Sequence, residues 1–155
     1  MAIREIRTEG DPCLGKVCRE VEKFDERLHT LLDDMKDTLK KAQGVGLAAP
    51  QVGILKRVVV IDTEDGMVEF VNPVITKTEG SYTDVEGCLS VPGKAGTVER
   101  PMKTTCKAFD RFGNEFEFTG EELYSKCICH ELDHLDGHLY VEKVVEWMDL
   151  DSEED

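Results

Sequence analysis

His130-Glu131-Leu132-Asp133-His134 constrains this chain more than any other stretch. The pattern is His-Glu-x-x-His. On a helix, residues four apart share one face, so both imidazoles can reach a single metal ion only if this segment is helical. Glu131, beside the first histidine, is placed to take a proton from a water that the metal has acidified. That is the layout of metal-assisted hydrolysis of an amide-type bond.

A tetrahedral site with one open position still needs a third protein ligand. An extended motif, with a histidine six residues after the second one, would put it at 140. Gly137 is in register for that motif, but position 140 is Tyr140 and His138 comes two residues early. Cys127 shares the helical face but is seven residues from His134, about 10 Å of helix rise, too far for both to bind one ion. The third ligand is therefore expected from another element, as a cysteine or a carboxylate. Cys13, Cys18, Cys88 and Cys106 all compete for the role. Cys88 has the most suggestive setting, because the preceding Gly87 permits close backbone approach. A lone cysteine is otherwise a small buried hydrophobe.

The remaining pattern predicts an α+β domain: antiparallel β-strands packed around a central motif-bearing α-helix, with an N-terminal helix. Apolar residues at 24, 28, 31, 32, 35 and 39 have helical spacing and predict a helix over 24–39, ending near Gln43-Gly44. Strands are expected over 57–62, 67–71, 74–77 and 81–85, the first two joined by a turn at Glu64-Asp65-Gly66. A hairpin is expected over Lys103–Phe109 and 115–118. Thr119-Gly120-Glu121-Glu122 reads as a capping box opening the motif helix, and Gly137 as its stop. The order of helix, strands, helix excludes a doubly wound parallel sheet. Residues 1–148 are expected to form one domain, and the acidic run 149–155 a disordered tail.

Composition narrows the setting. With 155 residues and 40% hydrophobic residues, the chain can build a real core. No apolar run is long enough for a membrane span, and the charged start Met1-Ala2-Ile3-Arg4-Glu5-Ile6 does not read as an export signal. The six cysteines are then expected as reduced thiols or ligands, and the location as cytoplasmic. The net charge of −14 argues against direct nucleic-acid binding.

Three segments carry a resemblance. Gly44-Val45-Gly46-Leu47-Ala48-Ala49-Pro50-Gln51, Glu86-Gly87-Cys88-Leu89-Ser90 and the histidine motif resemble, in order, the three motifs of the peptide deformylases. That family removes the formyl group from the N-terminal methionine of new bacterial proteins. The resemblance implies Cys88, His130 and His134 as metal ligands and Glu131 as general acid–base. It implies that the Gln51 side-chain amide and the Leu89 backbone N–H hold the formyl oxygen. Val45 and Gly46 are implied to bind the first substrate residues. Leu123 and Cys127, on the ligand face of the helix, are candidate walls of a methionine pocket. Arg100 is expected to bridge Glu86 and Asp133. Iron(II) is the implied native metal, with Ni2+, Co2+ or Zn2+ as substitutes. The implied partners are N-formyl-methionyl nascent peptides, met as a monomer in transient proximity to the ribosome.

Two departures from the family pattern stand out. Cys129 replaces a common glutamine before the first histidine, and Lys94-Ala95-Gly96 occupies a region where an arginine often meets the substrate backbone. The acidic end would be repelled by ribosomal RNA. A turn around 139–147 is expected to pack on the domain. Two rival readings are another metal-dependent peptidase with the same dyad, and a non-catalytic protein whose metal only staples the fold. A closed structural site would need a fourth protein ligand and would have no use for Glu131 or Gln51.

Overall fold

The run Val58-Val59-Val60-Ile61 is apolar at every position, and all four side chains are fully buried. A strand alternates its side chains between two faces, so both faces of this strand must be covered. The computed structural model, which describes residues 2–148, shows how. Strands β1 (Gly46–Ala48), β2 (Val58–Thr63), β3 (Gly66–Glu79), β6 (Lys103–Phe109) and β7 (Glu115–Glu121) form a five-stranded sheet in the order β1-β2-β3-β6-β7. Val58, Val60 and Val71 pack on one side against Leu28, Leu31, Leu32, Met35 and Leu39 of helix α1 (Glu26–Ala42). Val59, Ile61 and Phe70 pack on the other against Ile128, Leu132 and Leu135 of helix α2 (Leu123–Leu135).

A second sheet holds β4 (Tyr82–Cys88), β5 (Val91–Arg100) and β8 (Glu146–Trp147), in that order. Every strand pair in both sheets is antiparallel. Helix α2 packs on the larger sheet and also touches β5, so the motif-bearing helix is central. The α+β expectation therefore holds. Among the described residues no helix is long and apolar enough to cross a membrane. The tail reading, 149–155, lies outside the described residues.

Helix α1 begins at Asp25, whose carboxylate accepts the Leu28 N–H at 3.3 Å, and ends at Gln43 in the left-handed region. Helix α2 starts differently from the expected capping box. Strand β7 runs through Glu121, and Thr119 spends its hydroxyl on Thr105 across the sheet. The turn into the helix falls on Glu122, at φ 51°, with no side-chain cap; its N–H donates to the Met102 carbonyl at 2.8 Å. Helix α2 does stop before Gly137, at φ 83°. A Cβ there would lie 2.7 Å from the Gly15 carbonyl carbon and oxygen, so both conformation and space require glycine.

The expected strands 67–71 and 74–77 are one strand, β3, irregular between Val71 and Val74. Between them Asn72 takes φ 51°, and its amide group bonds both the N–H and the carbonyl of Val21. The chain thus crosses the proline as a bulge. Residues 139–147 pack on the second sheet through buried Tyr140 and the short β8.

Candidate active site

His130 and His134 lie one turn apart on α2, both buried, with ring centroids 5.1 Å apart. Cys88 ends β4, opposite them. The ligand-capable atoms of Cys88, His130 and His134 lie within 4.8 Å of one another. The Cys88 Sγ to His134 Nε2 distance is 3.4 Å. Thiolate and imidazole on a tetrahedral metal, at bond lengths of about 2.3 and 2.0–2.1 Å, would be separated by roughly 3.5 Å. The donor set and spacing fit a single divalent ion. The other cysteine candidates are elsewhere: Cys13 meets the Pro50 carbonyl, while Cys18 and Cys106 are buried in the core.

A chain of charges stands behind His130. Its Nδ1 lies 2.8 Å from Glu86 Oε1, which leaves Nε2 for the site. Arg100 donates from Nε and Nη2 to the two Glu86 oxygens at 2.8 and 3.0 Å, and from Nη1 to Asp133 at 2.8 Å. Burial opposes the Glu86 charge, but the bonds to His130 and Arg100 outweigh it and hold its pKa down to about 2. Burial likewise opposes charge on His130, yet Cys88 on one edge and Glu86 on the other raise its pKa to about 10. Ligation of a cation needs a neutral ring and a thiolate, so metal binding at this site releases protons. For His134, burial and the charge of His130 push the pKa down to about 3. Tyr140 stacks on the His130 ring at 5.8 Å and donates its hydroxyl to the Lys94 carbonyl.

Glu131 points the other way, toward β1. Burial pushes its pKa up to about 7; Glu86 adds to the rise, while His130 and Arg100 oppose it. Its Oε1 is buried with no hydrogen-bond partner among the described residues. A buried unpaired carboxylate oxygen is costly, so this atom suits a water or a substrate proton. Gly46 explains how the carboxylate fits: a Cβ at Gly46 would lie 2.8 Å from Glu131 Oε2 and 2.7 Å from Cys127 Sγ.

Gln51 is fully buried in a 3-10 turn after β1. Its Oε1 accepts the Ala48 N–H at 2.9 Å, which fixes the amide so that Nε2 faces Ser90 Oγ at 3.1 Å and Cys88 Sγ at 3.6 Å. Leu89 sits in the tight connection between β4 and β5. Beside these groups opens a cavity of about 340 Å³, lined by Val45, Gly46, Leu89, Leu123, Lys126 and Cys127, with Cys88, His130 and Glu131 at its polar end.

The structure thus brings together the residues that the three motifs implied, with Leu123 and Cys127, and leaves Cys13, Cys18 and Cys106 apart from them. Glu86, Arg100 and Asp133 form the link behind the ligands, with Lys143 also on Asp133 at 2.9 Å. Tyr140 and Lys126 were missed. The register of Tyr140 with the extended histidine motif was the one available signal for it. Cys129 turns from the site toward Thr104 at 3.6 Å, and burial raises its pKa. Lys94 turns to Glu9 and Trp147.

Two imidazoles, a thiol and an unpartnered carboxylate at one end of a cavity define the class: an α+β metal-dependent hydrolase. The comparisons carry this further. The family model for polypeptide deformylase matches residues 3–149. A peptide deformylase of Agathobacter rectalis is 60% identical over 144 residues, covering 93% of this chain and 91% of the relative. One from Acetivibrio thermocellus is 53% identical, covering 99% of this chain and 91% of the relative. Crystal structures of peptide deformylases from Legionella pneumophila (TM-score 0.89, 48% identity, 92% and 86% coverage) and Thermotoga maritima (TM-score 0.89, 37% identity, 92% and 97%) share the fold. The chain belongs to the polypeptide deformylase family. Its reaction is the family's metal-dependent hydrolysis of the N-formyl group from nascent peptides. The rival readings, another metal-dependent amidase or peptidase with the same dyad and a non-catalytic metal staple, fall with this membership.

Proposed function

We propose that Cys88, His130 and His134 hold one divalent cation, and that Glu131 is the general acid–base for hydrolysis of formyl-methionyl peptides. The observation that carries this is the convergence of three donor atoms within 4.8 Å beside the unpartnered Glu131 carboxylate. When bound, the cation supplies a Lewis acid for the formyl carbonyl and acidifies the attacking water. Glu131 accepts the proton of that water and returns it to the departing amine; a pKa raised toward 7 suits both halves of the task. Gln51 Nε2, aimed by the Ala48 contact, and the Leu89 backbone N–H donate to the oxygen that becomes negative.

Val45 and Gly46 bind the first substrate residues along the cavity rim, and Leu123 and Cys127 wall the methionine side chain. Arg100 acts through Glu86: it fixes the carboxylate that orients His130, while Asp133 ties the same guanidinium to α2. Iron(II) is the native cation in this reading, and nickel, cobalt or zinc substitute, as a thiolate with two imidazoles allows. Residues 1–148 work as one metallohydrolase unit. The enzyme acts as a cytoplasmic monomer that meets ribosomes transiently through its nascent-chain substrate, without binding RNA, as a net charge of −14 favours.

The test is Glu131→Ala. The variant should retain its metal and lose roughly 10²–10⁴-fold in formate release from formyl-Met-Ala-Ser. A metal-loaded variant within tenfold of wild type would remove Glu131 from the mechanism.

A further inference from the structure

Leu123, Lys126, Cys127, His130 and Glu131 follow the spacing of one helical face, and all five line the cavity. Lys126 is the anomaly, a cation in the middle of that face. Its side chain is only 13% exposed. Its ammonium reaches across to β4, donating to the Val85 carbonyl at 2.9 Å and to Asp84 Oδ2 at 3.1 Å. Asp84 is itself fixed, since its Oδ1 accepts the Val85 N–H at 2.8 Å.

Two consequences follow from this geometry. A lysine that sends its charge to the periphery lays its methylene stem along the surface it crosses. Here that surface is the cavity, so the stem is apolar wall. The ammonium also joins the two sides of the cavity, helix α2 and strand β4. β4 is an edge strand, and the bond occupies its Val85 carbonyl. Asp84 is half-exposed, so the ion pair is screened by solvent. The Val85 carbonyl bond, at 2.9 Å against 3.1 Å, is the shorter of the two anchors.

We propose that Lys126 is a specificity-determining residue, its stem forming one wall of the pocket for the first substrate side chain and its ammonium bracing that wall against β4. The inference rests on the formyl-peptide reading above. Discrimination for methionine over alanine then depends on the stem, and the charge serves to hold the stem in place.

The experiment measures kcat/KM on nickel-loaded enzyme for formyl-Met-Ala-Ser and formyl-Ala-Ala-Ser, in wild type, Lys126→Ala, Lys126→Met and Asp84→Asn. The Met-to-Ala selectivity ratio should fall roughly tenfold in Lys126→Ala, the scale set by losing methylene contacts in an apolar pocket. Lys126→Met, which keeps an unbranched apolar stem, should recover most of the ratio. Asp84→Asn should lower it less than Lys126→Ala, because the Val85 carbonyl still holds the ammonium. A lysine that served only folding would move stability and leave the ratio alone. A ratio within about twofold of wild type in Lys126→Ala overturns the proposal, as does a Lys126→Met ratio as low as that of Lys126→Ala. Wild type inactive on both peptides would sink the formyl-peptide reading itself, and this inference with it.

Discussion

Gly46→Ala tests the packing of the site with a single methyl group. Gly46 is outside the left-handed region, so alanine meets no backbone penalty and any effect is steric. The new Cβ would start 2.7 Å from Cys127 Sγ, 2.8 Å from Glu131 Oε2 and 3.0 Å from Glu131 Cγ. Heavy atoms prefer separations of about 3.5–4 Å, so one side must yield by roughly 1 Å. β1 is held by β2, and α2 is packed on the sheet, so the carboxylate is the part that swings. A misplacement of that size at a reacting group costs about 10²-fold in rate. Overpacking should also lower stability by about 1–3 kcal/mol. The assay is kcat for formate release on nickel-loaded protein, with metal content and urea unfolding measured on the same sample. Gly46→Ala/Cys127→Ala removes the sulfur clash and leaves the carboxylate clash. The double variant should therefore recover stability more than rate. A kcat within about threefold of wild type in Gly46→Ala would refute the claim that this glycine makes room for Glu131.

Arg100→Met should leave the buried Glu86 carboxylate without its bidentate partner, costing about 3–5 kcal/mol in denaturant unfolding. It should also weaken metal retention about 10–100-fold in a chelator competition, through the looser His130; a stability loss under about 1 kcal/mol would contradict the bridge. Far from the site, Arg111 bonds Glu69 and Asp33 and ties the β6–β7 turn to α1. Burial raises the pKa of Glu69, but bonds from Arg111 and Lys36 prevail and hold it below its ordinary value. A carboxylate depressed in the fold adds stability above its unfolded pKa and loses it as pH falls through the folded one. Arg111→Ala should then cost about 1–3 kcal/mol at neutral pH, and the deficit should shrink below about pH 4; a constant deficit down to pH 3 would contradict this.

The site was more legible in the sequence than the fold around it. His130 and His134 are one turn apart in sequence, so local spacing alone places them together. Cys88 comes from a different sheet, and no local rule could choose it over Cys13 or Cys106; only its motif could. The strands were harder where glycine and proline interrupt them. β5 contains Pro92, Gly93 and Gly96, and β3 crosses Asn72-Pro73, so local turn chemistry pointed one way and pairing across the sheet decided the other. Thr119-Gly120-Glu121-Glu122 has the composition of a capping box, yet pairing with β6 holds Thr119 and Gly120 in a strand. Lys126 was invisible for a related reason. A lysine on a helix reads as solvated until the strand that accepts its ammonium is known.

The most direct test of the central claim is a metal titration. Protein stripped of metal under argon is titrated with nickel or iron(II), and formate released from formyl-Met-Ala-Ser is measured at each addition. The site formed by Cys88, His130 and His134 predicts no release at the start, a linear rise, and a sharp break at one metal per chain. Release from the stripped protein, or a rise that passes one equivalent without a break, would contradict it.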